Sequence, residues 1–141
     1  MEAQPTTPIT EVLAELLASG ADVEEISSSV ALAWGEIEVS LSPVIGAAGV
    51  AALCKRSIHL ASREHPFLAA HAGQAGIWDP DALHRALAAQ TREDAAAAGA
   101  DILKQFRDLL ARLVGPDLTE RLLRTAWNLF SMGTPNLDAS S

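Results

Sequence analysis

Ile26, Val30, Ala33, Ile37 and Leu41 follow one another at three- and four-residue steps, the seam of an amphipathic helix. Asp22-Val-Glu-Glu25 opens that helix with the spacing of a capping box, Trp34 flanks the seam, and Glu24, Glu25, Glu36 and Glu38 take the outer face. Pro43 should kink or end it near Leu41, and Gly46 should finish it. A second helix is predicted over 47–63. On a helical wheel Val50, Leu53, Cys54, Ser57, Leu60 and Ala61 gather on one side of it, opposite Lys55, Arg56, His59 and Arg63.

Ahead of these, Thr7-Pro8 is an N-cap followed by a first-position proline. It predicts a helix over 8–19 with Leu13, Leu16 and Leu17 inward and Gly20 as its stop. Residues 64–78 are the least regular part, with Pro66, Gly73 and Gly76, although Phe67, Leu68, Ile77 and Trp78 suggest a connection folded back on the core. Asp79-Pro80 opens a helix over 80–90 with Leu83 and Leu87 inward. Thr91 to Asp94 begins a long helix over 92–114, with a seam of Ile102, Phe106, Leu109, Leu110 and Leu113. Gly99 reads as a weak point in that helix, where alanine should stabilise by up to ~1 kcal/mol. Gly115-Pro116 separates it from a last helix over 117–131, with Leu122, Leu123, Ala126, Leu129 and Phe130 inward. Residues 1–6 and 132–141 are expected to be flexible ends of one 141-residue domain.

The stretch from Leu41 to Leu60 has an echo from Leu110 to Leu129. The offset places Leu41 on Leu110, Gly46 on Gly115, Leu53 on Leu122 and Leu60 on Leu129, with Val44-Ile45 on Leu113-Val114 and Lys55 on Arg124. Each copy reads as helix, aliphatic pair, glycine, helix, and both glycines are expected at positive φ. The fold expected is therefore all-α: one bundle of about six helices containing two similar helix–Gly–helix hairpins, a possible internal duplication. Glu38 superimposes on Arg107, so equivalent outer positions carry opposite charge and suit pairing between the hairpins.

Composition sharpens this. The chain is rich in alanine, has no tyrosine, and so favours close-packed helices over a β-sandwich. A lone cysteine, Cys54, excludes an internal disulfide framework and fits a reducing cytoplasm; on its wheel position it is a small buried hydrophobe. No apolar run approaches the ~18 residues of a membrane span and no signal peptide opens the chain, so a cytoplasmic protein without membrane contact is expected. The formal charge of −8 is uneven. Residues 1–54 hold Glu2, Glu11, Glu15, Asp22, Glu24, Glu25, Glu36 and Glu38 and no lysine or arginine, whereas residues 55–141 sum to zero. Nucleic acid is disfavoured by that balance, and a protein with a basic surface is the natural complement.

Catalytic chemistry is hard to find. His59, His65 and His71 are six apart, no His-x3-His pair or second cysteine occurs, and no metal site, cofactor or catalytic residue is expected. No strand-borne nucleophile elbow or phosphate loop is present. His59 has one alternative role. On the solvent side of its helix, with Lys55 four before and Arg63 four after, it has the exposure and nearby cations that a phosphorylated imidazole needs. Histidine phosphotransfer domains are helical bundles of comparable size, but their lysine and glycine just after the histidine are replaced here by Leu60-Ala61-Ser62-Arg63.

Ser42-Pro-Val-Ile-Gly46 and Leu118-Thr-Glu-Arg-Leu-Leu123 resemble motifs of a small, uncharacterised helical family of bacterial genomes, over most of residues 34–127. The resemblance implies the helical fold and brings no activity. The function expected is a non-enzymatic interaction or regulatory adaptor module of intracellular bacterial signalling, homodimeric, with Asp22, Glu24, Glu25, Glu36 and Glu38 as the partner-binding surface. The alternatives are phosphotransfer through His59 and a sensor holding an apolar ligand between helices near Trp78 or Trp127.

Overall fold

A computed structural model describes the backbone of residues 8–69 and 79–132 and the side chains of 12–69 and 79–126. Five α-helices and no strand are found among the described residues: α1 (Pro8–Ser19), α2 (Val23–Ala61), α3 (Pro80–Ala88), α4 (Arg92–Val114) and α5 (Pro116–Met132). A single 3-10 turn, Pro66–Leu68, follows α2 and buries Leu68. Met132, expected to begin the flexible C-terminal end, is the last residue of α5; residues 1–6 and 133–141, Thr7 and the Ile77-Trp78 part of the connection lie outside the described residues.

The helix starts are those the sequence signals. Asp22 accepts from the Glu25 amide at 2.9 Å while Glu25 accepts from the Asp22 amide at 3.2 Å, a complete capping box. Thr91 accepts from the Asp94 amide and Asp79 from the Asp81 amide. At the end of α1, Gly20 takes φ 85° and the Ala21 amide reaches back to the Leu16 carbonyl, the double-bonded stop that a left-handed glycine permits.

The two helices expected over 23–41 and 47–63 are one element, α2, which passes through Pro43 and breaks at Gly46 (φ 83°, ψ 152°). Pro43 removes only the N–H that would bond the Val39 carbonyl, on an exposed turn next to the break, so the helix continues to the glycine. Gly115, between α4 and α5, takes nearly the same conformation, φ 93° and ψ 156°. Both lie where only glycine is comfortable.

Three contacts fix how the long helices lie. Arg92, opening α4, donates to the Ala21 carbonyl just ahead of α2. A Cβ built on Gly99 would stand 2.7 Å from Val30 Cγ2. Trp34 meets Phe106 edge-on, ring centroids 5.1 Å apart. Numbers rise together along both helices, so α4 and the first part of α2 run side by side in the same direction. Gly46 and Gly115 therefore lie at one end of the bundle, with the starts of α2 and α4 at the other. The second part of α2 and α5 run back from the glycines, while α1 and α3 each pack on both α2 and α4.

The core follows the 69-residue offset. Ile26, Ser27, Val30, Ala33, Trp34, Ile37 and Leu41 are buried, and so are Ala95, Ala96, Gly99, Ile102, Leu103, Phe106 and Leu110 at the corresponding positions. Past the glycines, buried Val50, Cys54 and Ser57 correspond to buried Thr119, Leu123 and Ala126. Trp34, expected beside the seam, is wholly inside it. Gly99 is no weak point: it is where α4 touches Val30, and alanine there would collide rather than stabilise. Leu113, expected inward, is exposed, because α4 has by then passed its last buried layer at Leu110.

Candidate functional site

The acids named from the sequence are divided by the fold. Asp22, Glu24 and Glu25 are exposed at the start of α2, whereas Glu36 and Glu38 are half-buried further along it. That corrects the expected outer face: α2 is packed on by all four other helices, so part of its polar side is covered as well. Because α2 and α4 run in parallel, exposed Glu93 and Asp94 of the first turn of α4 share the end with Asp22, Glu24 and Glu25. Charge tallies hid these two, since residues 55–141 balance to zero.

Several of these acids also hold the structure. Asp22 and Glu25 form the capping box, and Glu93 approaches Arg92 at 3.4 Å. Arg92 itself donates from Nε to the Ala21 carbonyl at 2.7 Å and from Nη2 to the Leu17 carbonyl at 2.6 Å, closing the C-terminus of α1. Glu24 Oε2 lies 3.0 Å from His84 Nε2 and accepts from Ser28 Oγ at 3.2 Å, and Ser28 Oγ is 3.4 Å from the same His84 nitrogen. Serine, histidine and carboxylate thus converge, but not as a nucleophilic triad. A triad needs the serine and the acid on opposite ring nitrogens, and here both meet Nε2. The cluster ties α3 to the start of α2.

Arg107 pairs with Glu120 across the α4–α5 turn. His65 approaches Asp101 at 3.5 Å, and Gln105 donates to the other oxygen of Asp101. Cys54 is buried, and burial, with the charge of Glu38 adding to it, pushes its thiol pKa well above the ordinary range. It is held protonated and unreactive, as expected of a small core residue. Among the described residues no group of three His, Cys, Asp or Glu is placed to hold a metal ion.

His59 is exposed on the last turn of α2, with Lys55 half-buried one turn before it. The helix ends at Ala61, so Arg63 lies in the following turn rather than one helical turn beyond His59. The side chains of Trp78 and Trp127, named for the sensor alternative, lie outside the described ones.

The opposite end of the bundle carries exposed apolar side chains. Among the described residues Val39 (64%), Val44 (51%), Leu113 (62%) and Leu118 (37%) are the large hydrophobic side chains left exposed, and the last three lie within three residues of Gly46 or Gly115. Val44 and Leu113 occupy corresponding positions, two residues ahead of their glycines. The expectation that no run is apolar enough for a bilayer is corrected here. By length and composition α2 could cross one, with an 18-residue stretch of mean hydropathy 1.7, only 22% of it buried. The break at Gly46 interrupts that helix.

The chain matches no family model, no curated protein and no solved structure.

Proposed function

We propose that the chain is a non-enzymatic protein-interaction module, a regulatory adaptor of intracellular bacterial signalling. Its recognition surface is the acidic end formed by Asp22, Glu24 and Glu25 with Glu93 and Asp94, and Glu36 and Glu38 extend it along α2. The observation that carries this is the parallel course of α2 and α4, which gathers exposed acids from both helix starts at one end. A partner with a basic surface complements it. Acids at a helix start also gain from the helix dipole, about 0.3–1 kcal/mol each, so binding and stability must be measured separately. A photoreactive residue at exposed Ala97 should crosslink a basic protein in the source cell. Capture should fall in a Glu24→Lys, Glu93→Lys variant whose helicity is unchanged. Equal capture of the same partners by that variant would remove the reading.

The repeated units support a second statement: the fold arose by internal duplication of a short helix, a long helix, a glycine and a returning helix. Counting the two parts of α2 separately then gives the six helices that such a history requires. Its support is the coincidence, at one offset, of N-caps Asp22 and Thr91, breaks Gly46 and Gly115, and the buried positions between them. The chain further acts as a homodimer, since alanine-rich helices with few aromatics make a thin core and a symmetric pair is the commonest way to extend one.

Phosphotransfer through His59 is the second reading, resting on the exposure of its imidazole. Acid-labile phosphate on the wild type, absent from His59→Gln, is its signature. Native mass spectrometry tests the apolar-ligand alternative, which predicts a mass above that of the bare chain.

A further inference from the structure

The molecule has two unlike ends. One collects Asp22, Glu24, Glu25, Glu93 and Asp94. The other, around Gly46 and Gly115, has no charged residue between Val39 and Cys54; the corresponding span 108–123 holds Asp108, Glu120 and Arg121 and, nearest the second glycine, Arg112 and Asp117. Those two are exposed, opposite in sign, and make no ion pair among the described residues. Two chains of formal charge −8 repel over most of their surfaces, and the repulsion is least where these neutral tips approach. On that tip Val44 and Leu113 stand exposed at corresponding positions, one from each hairpin, flanked by Val39 and Leu118.

We infer that a second copy of this chain docks tip to tip on this surface. The dimer axis lies across the tip, and each Leu113–Leu118 corner meets its own counterpart. A residue on one copy then meets the reciprocal residue on the other, so Arg112 of each faces Asp117 of its mate. The contact covers the exposed valines and leucines, pairs the two charges nearest Gly115, and leaves both acidic ends pointing outward for basic partners. It rests on the self-association proposed above and assigns it a surface.

Sedimentation equilibrium of the full chain at ~10–100 µM tests it. Wild type should be dimeric. Val44→Asp with Leu113→Asp should raise Kd at least ~100-fold while helicity and melting hold, because both side chains are already exposed in the single chain. Arg112→Asp alone should weaken the dimer, and adding Asp117→Arg should restore it, since the swap preserves opposite charges across the axis. Ala18→Gln, an exposed and uncharged position at the other end, should leave association unchanged. A double aspartate variant with wild-type Kd overturns the tip assignment while leaving self-association standing. A monomeric wild type throughout overturns both. Recovery of monomeric wild type on neutral phosphatidylcholine vesicles, lost in the double aspartate variant, overturns the proposal in favour of a lipid surface.

Discussion

At the residue scale, Gly99 shows where local preference and packing disagree. Helix propensity alone favours alanine there by up to ~1 kcal/mol. A Cβ, however, would stand 2.7 Å from Val30 Cγ2, at the end of a short, stiff side chain with no exposure. Gly99→Ala should therefore destabilise by about 1–3 kcal/mol, the usual range for overpacking. Denaturant melts check this, and a raised midpoint would mean that Val30 gives way freely. The glycine was visible in the sequence, but its neighbour, 69 positions away, was not. Gly46 and Gly115 were legible because a helix stop is local: both take positive φ, and Gly46→Val should cost about 1–3 kcal/mol. Cys54 was legible too, from its place on the wheel. Its raised pKa has a pH consequence, because the unfolded thiol ionises near ~8.5 while the folded thiol stays protonated. Stability from this group is complete below that pH and falls as pH rises beyond it. The thiol should resist iodoacetamide at pH 9 until denaturant is added, and rapid alkylation of folded protein would place it at the surface.

Among the elements, starts and stops were read from sequence to within a few residues, because caps are made by neighbours in the chain. What was missed was made between helices. Arg92 closes α1 from 71 and 75 positions away, through the carbonyls of Ala21 and Leu17. The corresponding position ahead of the break is Val23, so the repeat offered no hint. Arg92→Ala should leave two carbonyls at the end of α1 without this donor, each bond to a charged group being worth about 1.5–3 kcal/mol. Amide exchange should accelerate in α1 before any change appears in α4, and uniform acceleration throughout the bundle would assign Arg92 a global role instead. Likewise, Leu113 continues the apolar spacing of α4 and was placed inward on that ground. Periodicity identifies a face but not where the neighbouring helix leaves it, and the last buried layer is Leu110.

For the whole molecule, the acidic end was only half visible in the sequence, since which helix starts share an end depends on packing rather than on chain order. The proposed duplication has a direct test in the same packing. Val30 and Gly99 occupy corresponding positions and touch each other, as residues next to a twofold axis relating the two units would. Val30→Gly alone removes a buried side chain and should destabilise by a few kcal/mol through cavity and helix-propensity losses. Gly99→Val alone drives a branched side chain into Val30 and should be at least as damaging. Exchanging both keeps one glycine and one valine at the crossing, so total volume and total helix propensity are unchanged. Under pseudo-twofold symmetry the transplanted valine points back into the space that Val30 vacated. The double exchange should therefore recover much of the loss, with a coupling of about 1–3 kcal/mol in a double-mutant cycle. Without such an axis the two sites are merely neighbours, the new valine points elsewhere, and the losses simply add. Additive denaturant midpoints would thus separate a chance resemblance of two hairpins from one unit used twice.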